Sequence, residues 1–330
     1  MKNFKQNEFS IILPIRNGWP YIKFSISSIL NQNYKNFKLI ILDNCSSDES
    51  IEYIKSIKSS KIKIFYSNKS LSIEESWSRI LNIQKKEYMT TIGHDDIFHN
   101  DFLLEINELI NKYPDASIYH TQAKYIDEKG NIIRSCKFVK KKVKSYDYLK
   151  MRLLNQLDIF GSGYVFKSSE YDKSGGIPNF TKLLFADDAL LLNLNKEYKL
   201  CSNKELISIR IHDKSESASI PETWKYLKKG LSEFKNYLFK QTNNDLIKVR
   251  DKYWNDFEFK YCENLYIYAL VEASVKNQKI LEEYKKKIFD FLPKINSNKF
   301  SLKTKVIAFL NTNILRVFIP ILWVIYKKFK

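Results

Sequence analysis

Two adjacent carboxylates, Asp95 and Asp96, close a short apolar segment through the turn Gly93-His94-Asp95-Asp96. Paired carboxylates suit a hard divalent cation, Mg2+ or Mn2+, which prefers oxygen ligands. Such a cation would neutralise a diphosphate as it departs. A solvated turn is the plainer use of an Asp-Asp pair, so its surroundings decide. Asp43 closes another apolar segment and opens the polar run Asn44-Cys45-Ser46-Ser47-Asp48. Its carboxylate suits a base N–H or a ribose hydroxyl, unless it only caps the helix after it. A second acidic pair, Asp187-Asp188, opens an apolar helical stretch. There one carboxylate can deprotonate an acceptor hydroxyl, or the pair can simply complement the helix dipole. His212, one of four histidines, comes after a late strand and is a candidate metal ligand or diphosphate contact.

The elements that must position these groups read as alternating strands and helices. Residues 9–15 are a continuous apolar run of strand length, suited to a parallel strand buried on both faces. Arg16-Asn17-Gly18 turns the chain. Residues 21–32 carry Ile22, Ile26, Ile29 and Leu30 at helical spacing, and 37–42 form a second strand. Ser47 caps a helix over 50–57. Strands at 61–66, 88–92 and 116–120 alternate with helices at 73–83 and 102–112. This order demands a mostly parallel sheet with helices on both sides, and ligands bind beyond the carboxyl ends of such strands. Asp43, Asn68, Asp95 and Asp96 all stand at those ends. Further on come a turn and strand at 161–164, a loop at 175–178, a helix at 184–194 and a strand at 206–211. After Ser219 the pattern changes to long amphipathic helices, 224–239, 245–274 and 280–292, rich in Lys and Tyr. The expected organisation is an α/β domain over 1–218 and a basic helical region over 219–330.

Four segments give this chain its resemblance to the family 2 glycosyltransferases, inverting enzymes of the GT-A fold. Residues 10–17, Ser-Ile-Ile-Leu-Pro-Ile-Arg-Asn, resemble their opening strand and turn. Residues 42–50, Leu-Asp-Asn-Cys-Ser-Ser-Asp-Glu-Ser, are similar to their VDDGSTDGT segment. Gly93-His94-Asp95-Asp96 resembles their DxD-type metal motif, and residues 186–190, Ala-Asp-Asp-Ala-Leu, their EDxxL segment. Arg210-Ile211-His212 is similar to a later RxH element. The resemblance covers about residues 8–215. Asn44 and Cys45 replace an Asp and a Gly, Asp187 replaces a Glu, His94 stands where an acidic or small residue is common, and the run from Asn68 lacks the usual glycine and Arg-Asn.

The resemblance implies a nucleotide-sugar donor, UDP-linked by default, held by Pro14, Arg16, Asp43, Asn44, Asn68 and Asp95. It implies Mn2+ or Mg2+ on Asp96, with Asp95 and His212 beside it, and catalysis by Asp188 as base next to Asp187. The acceptor would be a hydroxyl of a glycan or lipid-linked sugar in surface-polysaccharide assembly.

Composition agrees with a globular enzyme: 330 residues, 44% hydrophobic, 15% aromatic. Cys45, Cys136, Cys201 and Cys262 show no CxxC spacing, which indicates neither a zinc site nor a disulfide framework and suits a reduced cytosolic compartment. Residues 1–8 are polar, so no secretory signal is read. The net charge of +18 is skewed: residues 221–330 hold 22 Lys and Arg against 11 Asp and Glu, and no acidic residue comes after Asp290. This region is expected to meet an anionic surface, whether phospholipid head groups, a lipid-linked phosphate or nucleic acid, unless the Lys-rich composition only keeps the chain soluble. The membrane surface is the expectation taken forward. The apolar run 317–326 contains Pro320 and falls short of the roughly 20 residues that span a bilayer. Residues 306–326 instead suit a helix in the membrane interface, with Trp323 and Tyr326 at head-group depth. The expected location is cytoplasmic, peripheral on the inner face of the membrane. A nucleotidyltransferase would need a Gly-rich basic loop where Arg16-Asn17-Gly18-Trp19-Pro20 stands. A nucleic-acid-binding protein would need a recognition motif that is absent. A silent sugar-nucleotide binder would not need Asp188 beside Asp43, Asp95 and Asp96.

Overall fold

Strand β1, Phe9–Ile15, is buried at every position, as a central parallel strand must be when helices cover both sheet faces. The structure is a computed structural model that describes residues 5–212 and 220–275, with side chains described over 5–212 and 226–264. After β1 come α1 (Ile22–Leu30), β2 (Phe37–Asp43), α2 (Ser50–Ser56), β3 (Ile62–Phe65), α3 (Ile73–Ser78), β4 (Tyr88–Thr91), β5 (Ile97–Phe98) and α4 (Phe102–Lys112). The chain continues through β6 (Ile118–Ile126), β7 (Ile132–Ser135), β8 (Lys142–Val143), α5 (Ser145–Leu153), β9 (Phe166–Lys167), α6 (Ser168–Lys173), α7 (Ala186–Leu194), β10 (Lys199–Arg210), α8 (Ile220–Phe239) and α9 (Asn244–Val275).

One sheet has the order β3-β2-β1-β4-β9, parallel through its first four strands and antiparallel at β9. Ile15 pairs with Asp43 and Ile12 with Thr91, so the residues after β1, β2 and β4 all leave from the same edge. The second sheet runs β5-β10-β6-β7, with β6 and β10 parallel and Arg210 beside Ile126. Ile22, Ile26 and Ile29 of α1 are fully buried, as the i, i+4, i+7 spacing requires. Phe98 and Phe102 stack at 4.1 Å in the same core.

Contacts divide the chain into two compact units, Met1–Asp213 with Lys229–Arg250, and Lys214–Lys228 with Asp251–Lys330. The segment Lys229–Arg250, which the sequence pattern grouped with the C-terminal region, therefore packs within the first unit. In the second unit Trp254 is buried, lies 5.6 Å from Phe257 and donates from Nε1 to Glu258. The helix expected at 280–292 and the interfacial segment 306–326 lie outside the described residues. Among the described residues no helix is long and apolar enough to cross a membrane.

Several expectations shift in detail. The helix expected over 73–83 stops at Ser78 and tightens into a 3-10 turn, Arg79–Asn82. The strands expected at 116–120 and 206–211 belong to the longer β6 and β10. The strand expected at 161–164 is instead a bend at 161–162 and irregular chain through Gly163 leading into β9.

Candidate active site

At the shared edge of β1 and β2 the polar residues hold loops together before they meet any ligand. Ser46 Oγ accepts from the Asn17 amide at 3.0 Å and Ser50 Oγ from the Gly18 amide at 3.0 Å. Asp48 Oδ2 accepts from the Trp19 amide at 2.8 Å, and Asn17 Oδ1 from the Ser47 amide at 2.8 Å. The loop after β1 is thus zipped to the loop after β2, and Asp43 lies at the base of the pair. Asp43 is buried; its Oδ1 accepts from the Ser46 amide at 3.2 Å, while Oδ2 has no hydrogen bond among the described residues. Arg79 fixes the same edge, donating to the carbonyls of Asp43 at 2.7 Å and Phe65 at 2.8 Å.

The other residues expected to touch the donor divide by exposure. Arg16 and Asn68 are exposed at the edge, whereas Pro14 is buried inside β1 opposite Leu42. Asn44, also expected to touch the donor, has its side chain engaged within the chain. Its amide donates to the Leu71 carbonyl at 2.9 Å and its Oδ1 accepts from the Leu71 amide at 2.8 Å, so the side chain clamps the loop after β3.

Beyond β4, Gly93 lets two carboxylates converge. A Cβ built on Gly93 would lie 2.8 Å from Asp95 Oδ1 and 2.9 Å from Asp96 Oδ2, so a side chain there would push the two carboxylates out of place. Asp96 is buried, accepts from the Ser162 hydroxyl on Oδ2 and from the Arg210 amide on Oδ1 at 3.1 Å. Burial, and then the neighbouring charge of Asp95, push its carboxyl up to about 7. Arg210 also donates to the carbonyls of Asp95 at 3.0 Å, Asp127 at 2.8 Å and Glu128 at 3.0 Å, tying this turn to the end of β6. His212, expected as a metal ligand, has Nε2 on Asp95 Oδ2 at 2.9 Å and its ring against Tyr21. It orients a candidate ligand, a position that imidazole and carboxylate partners often take around a metal. Among the described residues no group of three or more His, Cys, Asp or Glu is arranged to hold a metal alone.

The acidic pair of α7 separates into two environments. Asp188 is buried and fully engaged. Tyr148 donates to its Oδ1 at 2.8 Å, and Arg152 Nε reaches Oδ1 at 3.0 Å and Oδ2 at 2.9 Å. Asp187 is only half-buried and has no hydrogen bond or ion pair among the described residues. Burial first, and then the charge of Asp188, push its carboxyl up to about 7. Phe185, just before α7, holds a left-handed backbone at φ 63, unusual for a bulky residue. Its ring stacks on Phe234 of α8 at 4.9 Å and lies beneath the Arg152 guanidinium.

Residues 161–162 join the two acidic groups. Ser162 contacts Asp96 and accepts from the Gly93 amide at 2.9 Å, while Thr91 donates to the Gly161 carbonyl at 2.7 Å. On the other side, a Cβ on Gly161 would stand 3.4 Å from Asp187 Oδ2. Asp96 and Asp187 therefore flank one short segment. The loop after β1 closes the remaining gap, with Gly18 against the His94 ring, where a Cβ would come within 3.0 Å. Asp43, Asp95, Asp96 and Asp187 border one edge of the first sheet. Sequence reasoning missed Arg79, Tyr148, Arg152 and Ser162; only the similarity of Arg210 to an RxH element pointed to a residue of this supporting kind.

Residues 10–171 match the family model for glycosyl transferase family 2. An uncharacterized glycosyltransferase of Haemophilus influenzae is 31% identical over 46% of this chain and 59% of its own length. One from Rickettsia conorii is 33% identical over 39% of this chain and 21% of its own. The chain thus spans less than two thirds of these relatives. Among solved structures, S. aureus TarS in complex with UDP-GlcNAc superposes with a TM-score of 0.58 at 12% identity, over 90% of this chain and 77% of that one. The mannosyltransferase PcManGT of Pyrobaculum calidifontis, in complex with GDP-Man and Mn2+, gives 0.54 at 11% identity, over 96% and 84%. The fold is GT-A, as the sequence resemblance implied.

Proposed function

Because this chain belongs through residues 10–171 to glycosyl transferase family 2, we propose that it transfers a sugar, with inversion, from a nucleoside-diphosphate donor to a hydroxyl of a glycan or lipid-linked acceptor. The observation that carries this reading is the 161–162 bridge, which holds buried Asp96 on one side and half-buried Asp187 on the other. A diphosphate site and a base belong at that separation of roles. Asp43, with Oδ2 open, takes the base or ribose of the donor. Arg16 and Asn68 line the same rim.

The convergent oxygens of Asp95 and Asp96 over Gly93 fit a hard divalent cation, Mn2+ or Mg2+, which these two residues would hold. Bound there, the cation supplies charge neutralisation to the departing diphosphate. His212 and Arg210 keep the two carboxylates oriented toward that point.

Asp187 is the base in this reading, and Asp188 keeps it basic. An acceptor hydroxyl loses its proton to the open Asp187 carboxylate as its oxygen attacks the anomeric carbon. The new C–O bond forms on the face opposite the diphosphate, whose C–O bond breaks with its electron pair. Asp188 is buried and held by Tyr148 and Arg152, which favours the less buried Asp187 as the carboxylate that meets an acceptor. This reverses the order of the two roles that the resemblance implied. A base contributes on the order of 10²–10⁴-fold, and positioning supplies much of the rest.

UDP is the favoured nucleotide, supported by the UDP-GlcNAc in the TarS neighbour; the GDP-Man of the second neighbour keeps the base open. A role in surface-polysaccharide assembly, on the inner face of the membrane, is supported by the basic charge of residues 221–330. A thermal-shift series with UDP-, GDP- and dTDP-sugars, with and without Mn2+, tests the core of the proposal. One nucleotide should stabilise the chain more in the presence of Mn2+. No shift with any nucleotide would sink the donor site.

A further inference from the structure

The Asp187 carboxylate forms part of the wall of a cavity lined mainly by hydrocarbon, with Trp77, Phe166, Ile177, Leu190 and Leu191 on its apolar side and Thr91, Tyr164 and Tyr171 completing it. Its size is about 20 Å³ for the centre of a water-sized occupant, room for one small group and too little for a sugar ring. Of the polar groups around it, Thr91 and Tyr171 are engaged, while Asp187 and Tyr164 have no side-chain hydrogen bond among the described residues. The Thr91 hydroxyl donates to the Gly161 carbonyl at 2.7 Å, and the Tyr171 hydroxyl accepts from the Ile177 amide at 3.2 Å. A hydroxyl seated against the apolar side of this space, away from the Asp187 carboxylate and the tyrosine hydroxyls, would lose its water without finding a partner, which is costly. A methyl would gain contact with five apolar side chains.

We propose that this cavity is a subsite for a sugar bearing a small apolar substituent, the methyl of an acetamido group or of a 6-deoxy sugar. The inference rests on the transferase reading above, because Asp187 at the cavity rim is what places a reacting sugar beside it. The substituent belongs to the donor sugar or to the acceptor sugar, since both approach the base. Trp77 supplies the flat wall against which the substituent packs. Pockets of this kind discriminate a methyl from its absence by roughly 10- to 100-fold.

Matched substrate pairs separate the two sources. As donors, UDP-GlcNAc is compared with UDP-glucose and dTDP-rhamnose with dTDP-glucose, reading nucleoside-diphosphate release. As acceptors, nitrophenyl N-acetylglucosaminide is compared with nitrophenyl glucoside under one fixed donor. In one arm the methyl-bearing member should show at least tenfold higher kcat/KM. Leu190→Phe, which fills the cavity, should reduce that ratio to within about twofold while leaving the thermal shift given by UDP or dTDP alone unchanged. Ile177→Phe fills it from another wall and serves if the first variant does not fold. Equal turnover of both members in every arm, or a preference that survives filling, overturns the subsite and leaves a packing void. Transfer from none of the donors, together with no nucleotide binding, overturns the transferase reading and the subsite with it.

Discussion

At the scale of single residues, Asp187 and Asp188 are neighbours in sequence with opposite physical states. Asp187 titrates high because burial and the adjacent charge disfavour its ionised form. A base works only when deprotonated, so kcat/KM should rise as pH climbs through about 7 and level off above it. Asp187→Asn should lower kcat on the order of 10²–10⁴-fold and erase that limb. Asp188→Asn removes the like charge that raises Asp187, so the limb should move to lower pH while activity falls less. It also weakens the contact with Arg152 and should destabilise the fold by about 1–3 kcal/mol. The reverse pattern, with Asp188→Asn abolishing transfer and Asp187→Asn retaining activity and the limb, would return the base to Asp188. The sequence announces both carboxylates but not their difference. The distinction is made by Tyr148 and Arg152, 40 and 36 residues away. Neither carries any local mark of that contact. Lys199 is equally illegible: it sits buried among aromatic rings of Tyr148 and Tyr164, with burial pulling its amine down to about 8. The strand pattern reads only that such a position is part of a polar strand end.

At the scale of elements, what was legible is the set of strand ends. Continuous apolar runs mark β1, β2 and β4, and a parallel sheet aligns their carboxyl ends, so Asp43, Asp95 and Asp96 could be placed at one edge from sequence alone. The second sheet was poorly legible. β7 carries Ile132 and Ile133 at 65% and 52% exposure, so its pattern has no buried face to read. α5 spreads its apolar residues around the helix instead of along one stripe. The loops at the edge were illegible for a third reason: their polar residues pair with backbone across the sheet. Asn44 is the sharpest case. Its two bonds to Leu71 hold the segment after β3 against the end of β2. Asn44→Ala should cost about 1–3 kcal/mol by urea denaturation and raise the donor KM, with kcat little changed. Asn44→Asp, which keeps the acceptor for the Leu71 amide but not the donor, should fall between. Wild-type stability in the alanine variant would show that the clamp contributes nothing.

At the scale of the whole molecule, charge is the feature that the candidate site does not consume. The site lies among carboxylates, yet the chain carries +18 overall, and the excess is concentrated after residue 220. With the lipid-linked acceptor proposed above, a cation-rich region would turn a three-dimensional search into one along a surface. Each Lys or Arg near an anionic bilayer contributes about 1 kcal/mol, and the field decays within a Debye length of about 10 Å at 0.1 M salt. Binding that rests on this term alone must fade as salt rises. Binding that also inserts Trp323 and Tyr326 at head-group depth must survive in part. The full-length chain should therefore float with phosphatidylglycerol vesicles at about 0.05 M salt, retain partial binding at about 0.5 M, and leave phosphatidylcholine vesicles largely bare. Trp323→Ser with Tyr326→Ser should remove the salt-resistant fraction and leave the low-salt fraction in place. Equal partitioning to both lipids would remove the electrostatic part of the proposal, and no flotation with either would remove the membrane from this protein's function.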